Sequence, residues 1–374
     1  MRVVIAIDSF KGSLTSLEAA DAIKKAILRR DANAEVIIRP IADGGEGTVE
    51  ALCVGLSGKT IEASVSGPLG KRVSAKYCII NGDTAVIEMA AAAGLPLVPE
   101  ELRNPMNTTT YGVGELIRHA ISMGCRSFII GIGGSATNDG GVGMLCALGF
   151  EFSDNCGLPV PSGAKGLEFL SSISTKNAIP VLSECTFHVA CDVTNPLCGE
   201  NGCSAVYGPQ KGASPESITL MDTWLCKYAE LSKSVFPSSD PNHEGAGAAG
   251  GLGFAFMTFL GASLESGIKI ILDKTNLEEY IKTADVVVTG EGRLDSQSVM
   301  GKAPVGVAAL AKKHGKKVVA FAGCVTEDAE ECNKHGIDAF FPIVRGITTL
   351  EDALNKDNAY KNLEAAAYQA FGLL

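Results

Sequence analysis

The sequence predicts an α/β protein with a parallel sheet as its frame and a mixed α/β segment inserted into it. Three observations carry this reading. The chain opens as strand, helix, strand, helix, and its final third alternates in the same way, which is the pattern of a parallel sheet with helical crossovers. Between the two, short strands follow one another with only turns separating them, the mark of antiparallel hairpins.

Residues 2–7, RVVIAI, are a near-continuous β-branched run ending at Asp8, as suits a strand covered on both faces. The loop Ser9-Phe10-Lys11-Gly12-Ser13 leads to Thr15, with Glu18 three residues on, a capping-box signature. The helix runs to about Arg30 with Leu17, Ala20, Ile23, Ala26 and Ile27 on one face. A strand from Glu35 to Ile41 ends in ADGGEG (42–47), and a helix spans roughly Thr48 to Gly55. Strands follow at Thr60 to Ser66, Arg72 to Ile80 and Thr84 to Met89, separated by GPLG and NGD turns. Thr108 is expected to cap a helix ending near Met123.

The apolar run Phe128-Ile129-Ile130 then reads as a buried strand. It enters a thirteen-residue loop, Gly131 to Gly143, with six glycines plus Ser135, Thr137, Asn138 and Asp139. Met144, Leu145 and Leu148 close the unit with helical spacing. Glycines let a backbone approach a ligand closely, and a helix start offers unpaired N–H groups, so the unit reads as an anion site. Residues 153–183 look irregular. A strand from Phe187 to Cys191 reaches Asp192 in CDVTNPLCG, a YGPQKGA loop (207–213) precedes a helix around Trp224, and 238–253 reads as flexible. The last third gives strands at Asp285 to Thr289, Lys317 to Phe321 and Ala339 to Val344, the segment GEGRLDSQS after the first, and helices at Pro304 to His314 and the C-terminus.

At 374 residues the chain exceeds what one core usually supports. We expect a discontinuous Rossmann-like domain, 1–66 plus 280–374, and an inserted mixed α/β domain, 67–279, with the active site in the cleft between them; 108–150 fits either domain. A net charge of −10 without any basic run excludes a nucleic-acid partner. Twelve cysteines contain no CxxC pair, and the sets Cys185/Cys191 and Cys198/Cys203 near His188 lack zinc spacing, which points to thiols in a reducing cytoplasm. The chain begins directly with a strand pattern, without a signal-peptide profile, and its longest apolar stretch, Leu252 to Leu264, is too short for a membrane span.

The recurring feature is an acid at a strand end beside glycine or hydroxyl residues: Asp8, Asp43, Asp139, Asp192 and Asp295. In open parallel sheets ligands bind beyond the carboxyl ends of the strands, and such acids suit a hydrated Mg²⁺–phosphate ligand. Each taken alone also suits a turn or a cap. No GxxxxGK[ST] loop exists; Gly58-Lys59-Thr60 lacks the first glycine, and GAGAAG at 245–250 follows no strand. GIGGSA at 131–136 does follow a strand and keeps a dinucleotide site open. Lys11, and more weakly Arg293 and Lys211, are candidate anion ligands. No histidine falls in a motif.

Seven blocks taken together, DSFKGSL (8–14), ADGGEGT (42–48), GIGGSATNDGG (131–141), CDVTNPL (191–197), GPQKGA (208–213), GAGAAGG (245–251) and TGEGRLD (289–295), resemble the bacterial type I glycerate kinases along nearly the whole chain. The resemblance implies Mg²⁺-assisted, ATP-dependent phosphorylation of D-glycerate, usually to 2-phosphoglycerate, with 3-phosphoglycerate as the other product. Phosphoryl transfer depends on positioning and charge neutralisation. On that basis Asp192, then Asp43, is expected to orient or deprotonate the hydroxyl, with Lys11 neutralising charge. Asp8, Ser9, Gly133, Gly134, Ser135, Thr137, Asn138, Asp139, Asn195 and Arg293 would bind substrate and phosphates, and Glu291 and Asp295 would hold Mg²⁺. No nucleic acid or membrane partner is expected, and the chain would act as a monomer or homodimer. Two other classes compete: an NAD(P)-dependent hydroxy-acid dehydrogenase using GIGGSA, and a non-catalytic anion sensor.

Overall fold

The computed structural model describes residues 1–42, 47–299 and 302–374. In chain order the strands are β1 (Arg2–Ile5), β2 (Glu35–Ile38), β3 (Lys59–Ser66), β4 (Arg72–Ile80), β5 (Thr84–Glu88), β6 (Ser127–Gly131), β7 (Glu151–Ser153), β8 (Ser172–Ser174), β9 (Thr186–Ala190), β10 (Ser263–Glu265), β11 (Val286–Leu294), β12 (Lys317–Val325) and β13 (Ala339–Pro342). The chain forms two compact units, Met1–Asp43 with Glu50–Ser57 and Ser266–Leu374, and Gly44–Val49 with Gly58–Glu265.

The first unit carries a five-stranded sheet in the order β13-β12-β11-β1-β2. Every pairing in it is parallel. Val3, Ile5, Val286, Val288, Val319 and Phe321 point to one face and are buried with the helices Ser16–Arg30 and Lys356–Ala370. By the period of two, Val4, Val287, Val318 and Ala320 face the other way, the side of the helix Ala303–Lys313, which packs on β11. Continuous apolarity in these strands thus reflects helices on both faces. The predicted capping box is present: Thr15 Oγ1 accepts from the Glu18 amide at 3.3 Å and Glu18 Oε2 accepts from the Thr15 amide at 3.1 Å. From β1 the chain moves outward to β2, and from β11 it moves the other way to β12 and β13, so a topological switch point lies between β1 and β11.

The second unit carries a six-stranded sheet, β10-β9-β6-β5-β4-β3. β3, β4 and β5 pair antiparallel as the turns predicted, while β5, β6, β9 and β10 run parallel. The register sets Glu88 beside Gly131, Gly131 beside Ala190 and Ala190 beside Glu265, so the loops after β5, β6 and β9 leave from one edge. Stacked Phe128 and Phe187, 4.8 Å apart, fill the core beneath that edge.

Four local expectations are corrected. The stretch 153–183 includes half of a two-stranded antiparallel sheet, β7 with β8. Thr108 is not the cap of the helix Tyr111–Ser122: its hydroxyl donates to the Ala136 carbonyl at 2.7 Å, and Thr110 stands at the cap. β11 continues through Leu294, because pairing with β12 extends to Leu294↔Val325 and keeps Glu291 and Arg293 on the strand. Gly245 to Gly253, read as flexible from composition, is packed: Ala246, Gly247, Ala248, Gly250 and Gly251 are buried, and the helix Ala248–Leu260 has left-handed backbone at Ala249, Gly250 and Gly251. Glycine here serves close packing, not looseness.

Candidate functional site

Two clusters of candidate residues emerge, one at the carboxyl edge of each sheet. In the second unit, Gly131 ends β6 and the loop runs on to the helix Val142–Ala147. Gly133 and Gly134 are exposed, whereas Ser135 to Gly141 are buried. An antiparallel bridge, Gly94↔Ser135, ties the loop to the segment after β5. The Ala136 amide donates to the Ala93 carbonyl at 2.9 Å, and the Gly140 amide to the Gly250 carbonyl at 2.9 Å.

The polar side chains of this loop turn into the protein. Asp139 is 1% exposed. Its carboxylate accepts from the Thr110 amide (2.8 Å), the Thr110 hydroxyl (3.0 Å), the Gly141 amide (3.2 Å), the Gly143 amide (3.3 Å) and the Thr109 hydroxyl (3.4 Å). Burial pushes its carboxyl above the usual range, opposed by the Thr110, Gly141 and Gly143 donors. Asn138 Nδ2 donates to Ser204 Oγ at 2.8 Å, while Asn138 Oδ1 and Thr137 Oγ1 find no hydrogen-bond partner among the described residues. These residues shape the loop from beneath.

Lys211 corrects a second expectation. Instead of facing an anion it is 2% exposed, and Nζ donates to the Thr137 carbonyl at 2.7 Å. Burial pushes its ammonium down to about 8, with Cys203 and Asp139 pulling the other way. Between about pH 8 and the ordinary lysine value of 10.5, the unfolded chain keeps a proton here that the folded chain has released, so this group adds stability as pH rises through that window. We expect wild-type stability to gain up to about 3 kcal/mol over Lys211→Met across that window, read by urea unfolding; a gap that narrows with rising pH contradicts the burial.

After β9, Asp192 is exposed at the start of its loop. Asn195 is internal to it: Nδ2 donates to the Asn201 carbonyl at 2.9 Å and Oδ1 accepts from Tyr207 at 2.6 Å. Sequence reasoning missed Glu88, which ends β5 beside Gly131 and accepts from the Val49 amide at 2.9 Å. An acid closing the apolar run TAVIE was the available signal.

In the first unit the candidates meet at the switch point. The Asp8 amide donates to the Gly290 carbonyl at 3.0 Å, and Asp8 Oδ1 accepts from the Ser9 amide at 2.6 Å. Lys11 is exposed in the turn closed by the Phe10↔Leu14 bridge. That turn abuts β11: a Cβ on Gly292 would stand 3.3 Å from the backbone nitrogen of Lys11. Further along, Glu291 Oε1 accepts from Ser298 Oγ at 2.6 Å and Asp295 Oδ2 pairs with Arg293 Nε at 3.2 Å. The second oxygens of both acids, Glu291 Oε2 and Asp295 Oδ1, lie 3.7 and 3.8 Å from Lys302 Nζ. Arg293 therefore serves Asp295 here, and Lys302 was missed, although Gly-Lys before a proline-started helix signals it. Asp43 lies outside the described residues.

In each unit acids stand at the carboxyl ends of parallel strands, joined in the second by an exposed glycine turn, the arrangement of proteins that handle small anionic molecules. Comparison with known proteins makes this specific. The sequence profile of the glycerate kinase family matches residues 3–374. The chain is 49% identical over 357 residues to a glycerate kinase of Haemophilus influenzae, covering 95% of this chain and 94% of that one. It is 49% identical over 364 residues to the glycerate 2-kinase of Escherichia coli, covering 97% and 95%. A crystal structure from Salmonella typhimurium assigned to glycerate kinase 2 superposes with a TM-score of 0.91 at 47% identity, covering 100% of this chain and 98% of that one. The chain belongs to the glycerate kinase family and is an enzyme, a phosphotransferase.

The dehydrogenase alternative is thereby corrected, as is the sensor. A dinucleotide turn starts its helix at the glycines. Here the helix starts only at Val142, after Asp139 and the left-handed Gly140 and Gly141. Among the described residues no helix is long and apolar enough to cross a membrane.

Proposed function

We propose that this protein transfers the γ-phosphoryl group of ATP to the 2-hydroxyl of D-glycerate, forming 2-phosphoglycerate. The carrying observation is family membership over nearly the full chain, with a glycerate 2-kinase among its relatives at 49% identity. Asp192 is assigned to orient the attacking hydroxyl and take its proton, because it is exposed beyond a parallel strand end. Asp43 is the second candidate for this role. Exposed Gly133 and Gly134, beside Ser135, are assigned to meet an anionic group with backbone N–H, while Thr137, Asn138 and Asp139 hold that turn and Asn195 shapes the Asp192 loop. Lys11, with Asp8 and Ser9 in its turn, is assigned to the phosphates, and Arg293 to the orientation of Asp295.

The donors fit Mg²⁺. Glu291 and Asp295 each have one oxygen held by a neighbour, and their other oxygens converge on a single cation, the Lys302 ammonium. Two hard carboxylates with room for water are what Mg²⁺ prefers, although among the described residues no group of three or more metal-ligating side chains occurs. Mg²⁺ bound there would neutralise phosphate charge. We expect Glu291→Gln and Asp295→Asn each to weaken Mn²⁺ binding, followed by electron paramagnetic resonance without substrate, by about tenfold or more; unchanged binding removes the pair from the metal site.

A cytoplasmic location belongs to this proposal because ATP is the co-substrate, as do a monomeric or homodimeric state and the division into a discontinuous parallel-sheet domain and an inserted one. Purified protein with D-glycerate and MgATP should release ADP, and the product should feed enolase without a mutase. No ADP with D-glycerate defeats the kinase assignment, and a product that needs the mutase defeats the 2-hydroxyl assignment.

A further inference from the structure

The GPQKGA segment has no part in the scheme above, yet it places a lysine where lysines rarely sit. We propose that Lys211 is a positioning residue for phosphoryl transfer, its buried ammonium holding the Thr137 carbonyl so that Gly133 and Gly134 stay in their presenting conformation. This rests on the kinase reading and deepens it.

The delivery is built into the backbone. The turn Pro209–Lys211 closes through the Lys211 amide on the Gly208 carbonyl at 3.0 Å. Gly212, at φ 88°, lies so close to the Arg103 carbonyl that a Cβ would stand 2.1 Å from it, so the turn packs directly on that backbone and only glycine fits there. From this fixed base Nζ reaches Thr137 O at 2.7 Å, one residue beyond Ala136, whose own carbonyl is held by Thr108 at 2.7 Å. The next residues are held by the Gly250 carbonyl and the Thr110 donors. Lys211 is the cationic member of this set. Asp139 and Cys203 are the titratable groups that act on it through charge, while the hydrogen bond of Nζ goes to the Thr137 carbonyl.

Stability alone does not account for this choice. Moving an ammonium out of water is costly, and buried ion networks are often matched or bettered by apolar side chains of similar volume. A short donor that polarises one loop carbonyl instead supplies a fixed geometry, and catalytic positioning is sensitive to displacements of about 1 Å.

The test compares wild type, Lys211→Met and Lys211→Arg in three readouts: kcat with both KM values, thermal unfolding, and amide hydrogen exchange. Lys211→Met should lower kcat about 10–100-fold, leave both KM values within about threefold, and speed exchange of amides 133–143 while the sheet stays protected. Lys211→Arg, which keeps charge and donors, should recover part of both losses. Wild-type kcat and exchange in Lys211→Met overturn the proposal, as does faster exchange spread over the whole unit, which marks a merely structural role. If Lys211→Met does not fold, Lys211→Arg must show a kcat loss with faster exchange confined to 133–143, or the proposal fails. A wild type without turnover on D-glycerate sinks the kinase reading instead, and the exchange arm then decides on its own whether Lys211 holds the loop.

Discussion

Replacing Asp192 by asparagine is expected to lower kcat by about 10²–10⁴-fold, the usual contribution of a positioned general base. The substitution keeps size and polarity and removes the negative charge and with it the ability to take a proton. Because Asp192 is exposed at the start of its loop, the change should leave the melting temperature within about 1 °C, as surface substitutions do. Glycerate and ATP affinities, measured by calorimetry, should stay within about threefold, since orientation of the hydroxyl matters most in the transition state. A variant that keeps turnover within about threefold of wild type removes the base role from Asp192 and passes it to Asp43. Loss of affinity without loss of kcat would make Asp192 a binding residue.

Gly250→Ala is expected to damage both the stability and the turnover of the second unit. Gly250 has φ 69°, and a Cβ there would lie 2.1 Å from the Thr137 carbonyl oxygen and 2.6 Å from the Asn138 Cα. The left-handed backbone costs an alanine about 1–2 kcal/mol, and the overlap with backbone adds about 1–3 kcal/mol. Since Thr137 cannot retreat without leaving Lys211, the loop must move, and turnover should fall with stability. Gly157→Ala separates the two contributions: Gly157 has φ 78° with nothing within 4 Å of the added Cβ, so only the backbone penalty applies. Chemical denaturation of both variants checks this. Equal destabilisation would mean that the contact between the glycine segments is not what fixes the loop.

These two substitutions mark what was legible in advance and what was not. Asp192 stood at the end of an apolar run, where position placed it among five strand-end acids and the family resemblance put it first. The role of Gly250 was hidden, because composition cannot distinguish a glycine that loosens a chain from one that lets two backbones touch. The same limit applies to Asp139, Thr137, Asn138 and Lys211. A polar residue in a glycine-rich loop looks the same in sequence whether it faces a ligand or its own scaffold.

By itself the sequence determined the alternation of strands and helices, the capped first helix, the antiparallel hairpins and the acids at strand ends. It did so because hydrophobic period, capping and turn chemistry act over a few residues. Only the tertiary structure decided which of those acids open outward and which are spent inward. It set Lys302 between Glu291 and Asp295, and it packed the glycines at 245–253 against the loop at 137–140. Apart from Lys302, which meets acids close to it in the chain, those outcomes depend on contacts between residues some 70 to 280 positions apart, such as Lys211 with Thr137 and Asp8 with Gly290. Burial and close approach at such separations are properties of the packed chain, and no local pattern encodes them.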